Sequence, residues 1–201
     1  LNPADGVAGF LLANGALDDS DTLAIRRQLI ENDKVEAIII LPRDMFYTTD
    51  ISVTLWILNQ NKHAGIKNGH SWRDRTGEIL FMDLRSWNQN TYEKGKFVQF
   101  SPEQIAQVQK IFFDWRTTGG AAYAQPELYY GAKKAEIAEK GYSLVPSRYI
   151  EFVDRDTELD YETVLATAGK EAAELIKEQA DNTQKLATAF TALGYNCRQG
   201  E

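Results

Sequence analysis

An aromatic pair, Phe46-Tyr47, is the most unusual chemical feature of this sequence, because it stands in a short connection between two apolar segments. The first segment, residues 35–41, has the nearly continuous apolar character of a strand buried on both faces of an α/β sheet. The second segment, residues 51–58, predicts another strand. Only residues 42–50 separate them, too few for a crossover helix, so we predict that the two strands are antiparallel neighbours.

Other chemistry is weakly represented. The sequence contains no GxGxxG or GxxxxGK[ST] phosphate loop and no GxSxG nucleophile motif. His63 and His70 lie in a polar segment with no cysteine nearby, so we expect no metal site. Asp83 ends a predicted strand, where a surface capping role is favoured over catalysis. Motifs alone indicate an α/β protein without a recognisable active site.

Composition excludes several classes of protein. With 43% apolar and 25% charged residues, and no apolar run of the roughly 18 residues that span a bilayer, we expect a soluble protein with no membrane partner. Cys197 is the single cysteine, which excludes an internal disulfide. Together with the lack of a signal-peptide pattern, it predicts a cytoplasmic location. The net charge of −7 argues against strong nucleic-acid binding by this chain alone.

A βαβ unit is predicted at the start of the chain. Residues 7–13 are typical of a buried strand, which ends at the Asn14-Gly15 turn. A helix of about three turns should follow, capped from residues 18–21 and ending at Glu31. Its apolar face is predicted to comprise Leu23, Ile25, Leu29 and Ile30. The crossover to the strand at 35–41 should be right-handed.

The middle of the chain predicts a mixture of loops and short elements. Residues 59–77 are polar and basic, which indicates an exposed loop, either a solvated connector or a phosphate contact. Residues 78–84 predict a strand. Ser101 and Pro102 should open a helix whose apolar stripe packs in the core. That stripe consists of Ile105, Val108, Ile111, Phe112 and Trp115. Residues 127–139 predict a short helix or irregular structure, and 142–152 an extended segment.

A single long helix is predicted for residues 160–193, which contain no proline and are rich in Ala, Glu, Lys, Gln and Leu. An apolar stripe recurs near heptad spacing but is interrupted by Gln179 and Asn182, so an isolated coiled coil would be weak. We expect the helix to project and pack against another chain. The alternative is that it folds back on its own domain.

Four segments resemble one family, the modification (methylation) subunits of type I restriction-modification systems. They are GVAGFLLANGAL, IRRQLIENDKVEAIIILPRDMFYTTDISVTLWILNQNK, GEILFMDLR and YSLVPSRYI. The resemblance covers nearly the whole chain, and LPxxMFYTT is its most specific piece. It implies a DNA adenine-N6 methyltransferase that uses S-adenosylmethionine. Residues 1–100 would be the C-terminal portion of the catalytic domain, 101–154 a connector, and 155–201 a helix for subunit interaction.

The resemblance implies that this chain carries half of a catalytic domain. The expected fold is α/β, the C-terminal half of a class I S-adenosylmethionine-dependent methyltransferase sheet with an antiparallel last strand, followed by the long helix. The family's cofactor loop and its Asn-Pro-Pro-aromatic motif would lie upstream of Leu1, and Asn2-Pro3 is not that motif. We therefore expect the chain alone to bind no S-adenosylmethionine and to be inactive.

The resemblance also gives candidate site residues. An adenine-N6 methyltransferase flips its target base and stacks it on aromatic faces. Phe46 is the first candidate for such a face and Tyr47 the second, the alternative being that either packs into the core. The loop candidates for substrate are Asn14, Gly15, Pro42, Thr48 and Thr49, and the weaker candidates for the DNA backbone are Arg43, Lys62 and Lys67.

Two functional hypotheses follow, and both can hold. The chain is part of a methyltransferase, or it is a non-catalytic interaction module that docks the DNA-specificity subunit through its C-terminal helix. The implied partners are DNA, through the assembled complex, and the specificity and restriction subunits. The isolated chain should also self-associate, because the strand at 7–13 would expose an unpaired edge and apolar faces; the alternative is that further polypeptide precedes Leu1.

Overall fold

A computed structural model describes residues 2, 4–67, 69–92, 95–120, 123–153 and 160–194. The chain divides into two compact units, Leu1–Val153 and Asp154–Glu201. Cys197 and the start of the predicted interaction segment lie outside the described residues.

The first unit is built on a mixed β-sheet with helices on both faces. Among the described residues, the sheet has six strands: β1 (Val7–Ala13), β2 (Val35–Ile40), β3 (Val53–Asn59), β6 (Glu78–Asp83), β9 (Ala124–Gln125) and β10 (Tyr129–Lys133). Their order across the sheet is β1-β3-β2-β6-β10-β9. Two small hairpins, β4–β5 (Gly65–Lys67 and His70–Trp72) and β7–β8 (Thr91–Tyr92 and Phe97–Val98), lie outside it. The helices of this unit are α1 (Leu23–Glu31), α2 (Pro102–Thr117) and α3 (Lys134–Glu139).

Strand β3 pairs antiparallel with both β1 and β2, so β1 and β2 run parallel with β3 between them. The predicted antiparallel pairing of the two strands that flank Phe46 is therefore confirmed. Strand β2 also pairs in parallel with β6.

The core lies on both faces of β2. Ile38 and Ile40 pack on one face with Ile30 of α1 and Ile137 of α3. Ala37 and Ile39 face the other side, where they join Ile111 and Trp115 of α2. All six residues of β2 are buried, as the sequence predicted.

Strand β1 forms as predicted, but the expectation that it is buried is wrong. Six of its seven residues are exposed, including Phe10, Leu11 and Leu12. The physical reason is that neither of the two core clusters includes a residue of β1, which lies at the end of the sheet with β3 as its one neighbour among the described strands. The apolar side chains that would normally be covered on both faces are therefore accessible to solvent.

Helix α1 begins later than predicted. A short 3₁₀ turn occupies Ser20–Thr22, and Thr22 at the N-cap makes no capping hydrogen bond with its side chain. The predicted apolar face is half wrong, since Ile25 is 61% exposed while Arg26 is buried. Arg26 is retained inside because its guanidinium donates to the backbone oxygens of Tyr142 and Asp19.

Helix α2 begins as predicted. Ser101 caps it in a capping box with Gln104, and Pro102 follows in the first turn. Ile111 and Trp115 are buried, whereas Ile105 near the start of the helix is 46% exposed. The stripe is therefore core packing over most of its length.

Residues 127–139 contain a strand that the sequence did not predict. Strand β10 pairs antiparallel with β6, and α3 follows it directly. Gly131 and Ala132, in the middle of the strand, have low β propensity, so the sequence lacks the run of β-branched or aromatic residues that predicts a strand. The 142–152 segment, predicted to be extended, includes a 3₁₀ turn at Pro146–Arg148.

The second unit contains a 32-residue helix, α4 (Tyr161–Ala192), which confirms the predicted long helix. Asp160 caps it by accepting hydrogen bonds from Glu162 N and the Thr163 hydroxyl. None of its residues is buried. Across the part of the chain that the structure describes, no helix is both long and apolar enough to cross a lipid bilayer.

Candidate functional site

The loop between β2 and β3 starts at the sheet edge where β1 also ends. Because β1 and β2 are parallel, Asn14 follows β1 at the same edge at which Leu41 follows β2. Thr54 donates its hydroxyl hydrogen to Asn14 Oδ1 over 2.6 Å. Ser52 donates to the backbone oxygen of Leu41 over 2.7 Å. The Asn14 amide also donates to Ser52 Oγ over 3.4 Å, so Asn14 lies next to the base of the loop, at the carboxyl edge where α/β sheets bind ligands.

The loop itself is a compact turn. Phe46 and Thr49 form an isolated antiparallel bridge across it. Asp44 adopts a left-handed conformation with φ of 60°, and its backbone oxygen accepts from Val98 N of the β7–β8 hairpin over 2.8 Å. The Thr49 hydroxyl accepts from Ile51 N. The hairpin therefore holds the loop from the side.

The two aromatic residues have different surroundings. Phe46 is half-buried and packs at the margin of the α2-side core. Tyr47 is 68% exposed, with its ring 4.5 Å from that of Phe97 and 6.3 Å from that of Tyr92. Both aromatics are thus held by neighbours while part of each remains accessible, and base stacking by either stays a prediction.

Two adjoining cavities surround this loop. One, of about 330 Å³, is lined by the loop residues from Asp44 to Asp50 except Met45, together with Lys96 and Phe97. The other, of about 540 Å³, adds residues just after β1, just before β3, after β6 and from the β7–β8 hairpin; its lining is Asn14, Arg43, Asp44, Ser52, Arg85, Asn88, Thr91, Gly95, Lys96 and Val98. Asp44 and Lys96 line both. The predicted residues Asn14, Arg43, Phe46, Tyr47, Thr48 and Thr49 therefore lie around one connected region.

The charges around these cavities largely cancel. Arg43 lies 3.6 Å from Asp50, and both side chains are mostly exposed. The Arg85 guanidinium binds the carboxylate of Asp83 through two nitrogens, and these hydrogen bonds raise the pKa of Arg85. Asp44 and Lys96 add one charge of each sign, and Asn14, Ser52, Asn88 and Thr91 contribute neutral hydrogen-bonding groups. Such a surface suits a flat, uncharged polar ligand better than a phosphate.

Arg85, Asn88 and Lys96 were not predicted as site residues. Asp83 ends β6, which pairs with β2, and this position was the one sequence feature that indicated that residues after β6 lie near the site. Pro42 is buried at the end of the first apolar segment. A Cβ at Gly15 would lie 2.4 Å from Oδ2 of Asp19, an exposed side chain that is free to rotate away, so packing does not by itself require glycine at this position.

The expectation that Lys62 lies in an exposed loop is wrong. Its side chain is 1% exposed, and its ammonium donates to Asp33 Oδ1 and to the backbone oxygens of Val35 and Glu78. Burial lowers the pKa of Lys62, although Asp33 opposes the shift. Lys62 holds strands together and is no longer a candidate for the DNA backbone.

Lys67 is exposed and forms an ion pair with Asp5 at 3.0 Å. Asp5 precedes β1, so this pair belongs to the sheet edge opposite the Phe46 loop. The structure therefore does not bring Lys67 to the candidate site.

The sequence profile of the N-6 DNA methylase family matches residues 2–158. The chain belongs to this family. Among curated relatives, the MjaIX methylase subunit of a type I restriction enzyme from Methanocaldococcus jannaschii is 28% identical over 95% of this chain and 33% of its own length. The corresponding HindI subunit from Haemophilus influenzae is 29% identical over 92% of this chain and 38% of its own length. The chain thus spans about a third of the length of these two relatives.

Solved structures share the fold. The methyltransferase subunit of a type I system from Streptococcus thermophilus superposes with a TM-score of 0.57 at 21% identity, covering 74% of this chain and 27% of that one. The EcoKI M protein gives 0.50 at 17% identity, covering 90% of this chain and 41% of that one. The resemblance to type I modification subunits is confirmed, and the chain shares the mixed α/β fold of these solved subunits.

Proposed function

We propose that this chain supplies the C-terminal half of a class I methyltransferase sheet in a type I modification subunit, an enzyme that transfers a methyl group from S-adenosylmethionine to adenine N6 in DNA. The observation that carries the proposal is the placement of antiparallel β3 between parallel β1 and β2. This arrangement matches the antiparallel last strand that the resemblance to the family implies. It also puts the Phe46 loop at the carboxyl edge, where ligands bind in α/β sheets.

The role of this chain is to hold the flipped adenine. An exocyclic amine inside a duplex is inaccessible, so the base must leave the stack and be held by aromatic and polar groups. Phe46 would stack on the base, an interaction worth roughly 1–3 kcal/mol. Asn14 and the polar residues that line the cavity beside the loop would hydrogen-bond to the polar edge of the adenine. Thr48 and Thr49 would orient the loop. Tyr47, packed against Phe97, would support it from outside.

The residues present do not form a cofactor site by themselves. No glycine-rich loop follows any strand in this sequence. We therefore infer that the 201-residue chain alone neither binds S-adenosylmethionine nor methylates DNA, and that the other half of the site comes from other residues of a complete subunit.

A second role, subunit docking, is favoured by α4. This helix exposes large apolar side chains along its length, and its described residues include none that is buried. Those more than half exposed are Tyr161, Leu165, Leu175, Ile176, Leu186 and the flanking Leu193. Such a helix gains stability by packing against another polypeptide. The proposed partner is the DNA-specificity subunit, with the restriction subunit and DNA joining in the complete assembly.

Calorimetry with S-adenosylmethionine tests whether the cofactor-binding half of the site lies outside this chain. The isolated chain should give no binding isotherm, whereas a complete subunit that contains this sequence should bind the cofactor and methylate adenine in duplex DNA. A clear isotherm with the isolated chain would contradict the proposed division. A complete subunit that binds the cofactor but methylates no adenine would contradict the proposed reaction.

A further inference from the structure

A polar cavity lies at the sheet edge opposite the Phe46 loop. It has a volume of about 310 Å³ and lies against the β4–β5 hairpin and α2, with Asn59, Trp72, Arg75 and Arg116 in its lining. Asn59 ends β3 and Val53 begins it, so the strand separates this cavity from the loop by about 20 Å. A ligand in this cavity would therefore be separate from the proposed base site.

Two arginines share one carboxylate beside this cavity. Glu36 and Arg75 are each 1% exposed, and Arg75 Nε donates to Glu36 Oε1 over 2.8 Å. Arg116 Nε lies 3.5 Å from the same oxygen, while Glu36 Oε2 accepts from the Asn59 amide over 2.6 Å. The neighbouring ion pairs, Lys62–Asp33 and Arg73–Glu78, are each balanced. The cluster therefore holds one positive charge more than its carboxylates neutralise.

Two hydrogen-bond donors in the cavity lining lack acceptors. Arg116 Nε and Trp72 Nε1 are both buried, and neither makes a hydrogen bond to the described residues, although Arg116 Nε lies within ion-pair distance of Glu36 Oε1. The Arg116 guanidinium lies 4.2 Å from the centre of the Trp72 ring, so these two side chains form one surface. Burial lowers the pKa of Arg116, Glu36 opposes this, and the charge of Arg75 adds to it. Buried donors without acceptors are costly, so a ligand that accepts from both would be favoured.

We propose that this cavity binds a small oxyanion, a phosphate or carboxylate group, which accepts hydrogen bonds from Arg116 and Trp72 and neutralises the excess charge. The volume is well above the roughly 30 Å³ that one water molecule occupies in the liquid. Arginine is suited to oxyanions because its planar guanidinium presents several donors to them. The one carboxylate in the lining, Asp5, is engaged by Lys67. The site requires neither DNA nor the methyl donor.

Tryptophan fluorescence of the full chain tests the proposal. Phosphate, acetate and chloride are titrated separately at constant ionic strength, and the contribution of Trp72 is obtained by difference from Trp72→Phe. Phosphate or acetate should produce a saturable change that is absent from Trp72→Phe, and the anion that saturates at lower concentration identifies the preferred class. No saturable change with either oxyanion, or an equal change with chloride, would overturn the proposal.

Arg116→Gln should weaken binding of the preferred anion about tenfold, as expected for the loss of a charge-assisted hydrogen bond. Arg27→Gln is the matched control, because it makes the same change of charge at an exposed position on α1, which packs on the other face of the sheet. Its affinity should equal that of the wild type. If Arg116→Gln does not fold, the increase in thermal midpoint caused by phosphate should instead be smaller in Trp72→Phe than in the wild type. Equal affinities in the two arginine variants, or equal midpoint shifts in that second comparison, would refute the site.

Discussion

Thr54 and Asn14 are 40 positions apart in the chain, yet the Thr54 hydroxyl donates a 2.6 Å hydrogen bond to Asn14 Oδ1. The bond joins Asn14, which follows β1, to the second residue of β3, next to the loop that carries Phe46. Thr54 is fully buried, so its hydroxyl has no access to solvent. The position of Asn14 in the candidate site therefore depends on this buried contact.

Thr54→Val should reduce the free energy of unfolding by about 1 kcal/mol, because it removes the donor while preserving the shape of the side chain. Urea denaturation of the wild type and variant measures the difference. Thr48→Val is the control, since Thr48 is exposed in the loop that carries Phe46. It should change the free energy of unfolding by less than about 0.5 kcal/mol. Equal effects of the two substitutions would show that the Asn14 contact contributes nothing.

Glu36→Gln should cost about 3–5 kcal/mol of stability, because it leaves the buried guanidinium of Arg75 and the partly buried guanidinium of Arg116 without their carboxylate. Chemical denaturation measures the loss. Asp5→Asn breaks the exposed pair with Lys67 and should cost less than about 1 kcal/mol. A loss for Glu36→Gln no larger than for Asp5→Asn would contradict the account of the buried cluster.

Tyr149 should make the fold sensitive to alkaline pH. Burial, assisted by Glu136, raises the pKa of its phenol, which donates to Ser143 O and stacks on Phe81 at 4.2 Å. An unfolded tyrosine ionises near pH 10, below the raised pKa of the folded protein. The stability that un-ionised Tyr149 contributes is therefore complete below about pH 10 and is lost progressively at higher pH.

Tyr149→Phe should therefore lower stability at neutral pH by about 1 kcal/mol, through the lost hydrogen bond, and reduce the decline in stability above about pH 10. Denaturation curves at neutral and alkaline pH test both effects. Tyr161→Phe, at a position that is 58% exposed, is the control and should leave both unchanged. An unaltered alkaline decline in Tyr149→Phe would exclude Tyr149 as its source.

The isolated chain should self-associate through β1. Phe10, Leu11 and Leu12 are each more than a third exposed on a strand that has one partner among those described. An unpaired apolar edge promotes pairing with another chain, and a lysine at the edge opposes it. Sedimentation should show concentration-dependent association that Leu11→Lys reduces. A stable, monodisperse wild-type monomer of 22.7 kDa would contradict this prediction.

Local patterns in the sequence predicted the elements that surround the candidate site. The apolar segments gave β2 and β3, and the short distance between them gave their antiparallel pairing. The Ser101-Pro102 signal located the start of α2. These features are encoded by neighbouring residues, so they could be found without knowledge of the rest of the fold.

Features that depend on distant residues were not predicted. Glu36, Arg75 and Arg116 lie far apart in sequence, and no local pattern indicates that they meet in a buried cluster. Lys62 looked like part of an exposed basic loop because its partners, Asp33 and the backbone of two strands, are assembled by the sheet. The β7–β8 hairpin, which adds Lys96 to the candidate site, is too short to give a strand pattern.

Methylation by a complete subunit carrying Phe46→Leu tests the central claim most directly. Leucine preserves most of the apolar packing of this half-buried residue but removes the aromatic face, and Phe46→Tyr is the control that retains the face. The account predicts that Phe46→Leu lowers kcat/KM for DNA by roughly tenfold to a hundredfold, with unchanged affinity for S-adenosylmethionine, while Phe46→Tyr stays close to the wild type. Methylation by Phe46→Leu at the wild-type rate would show that Phe46 does not hold the base.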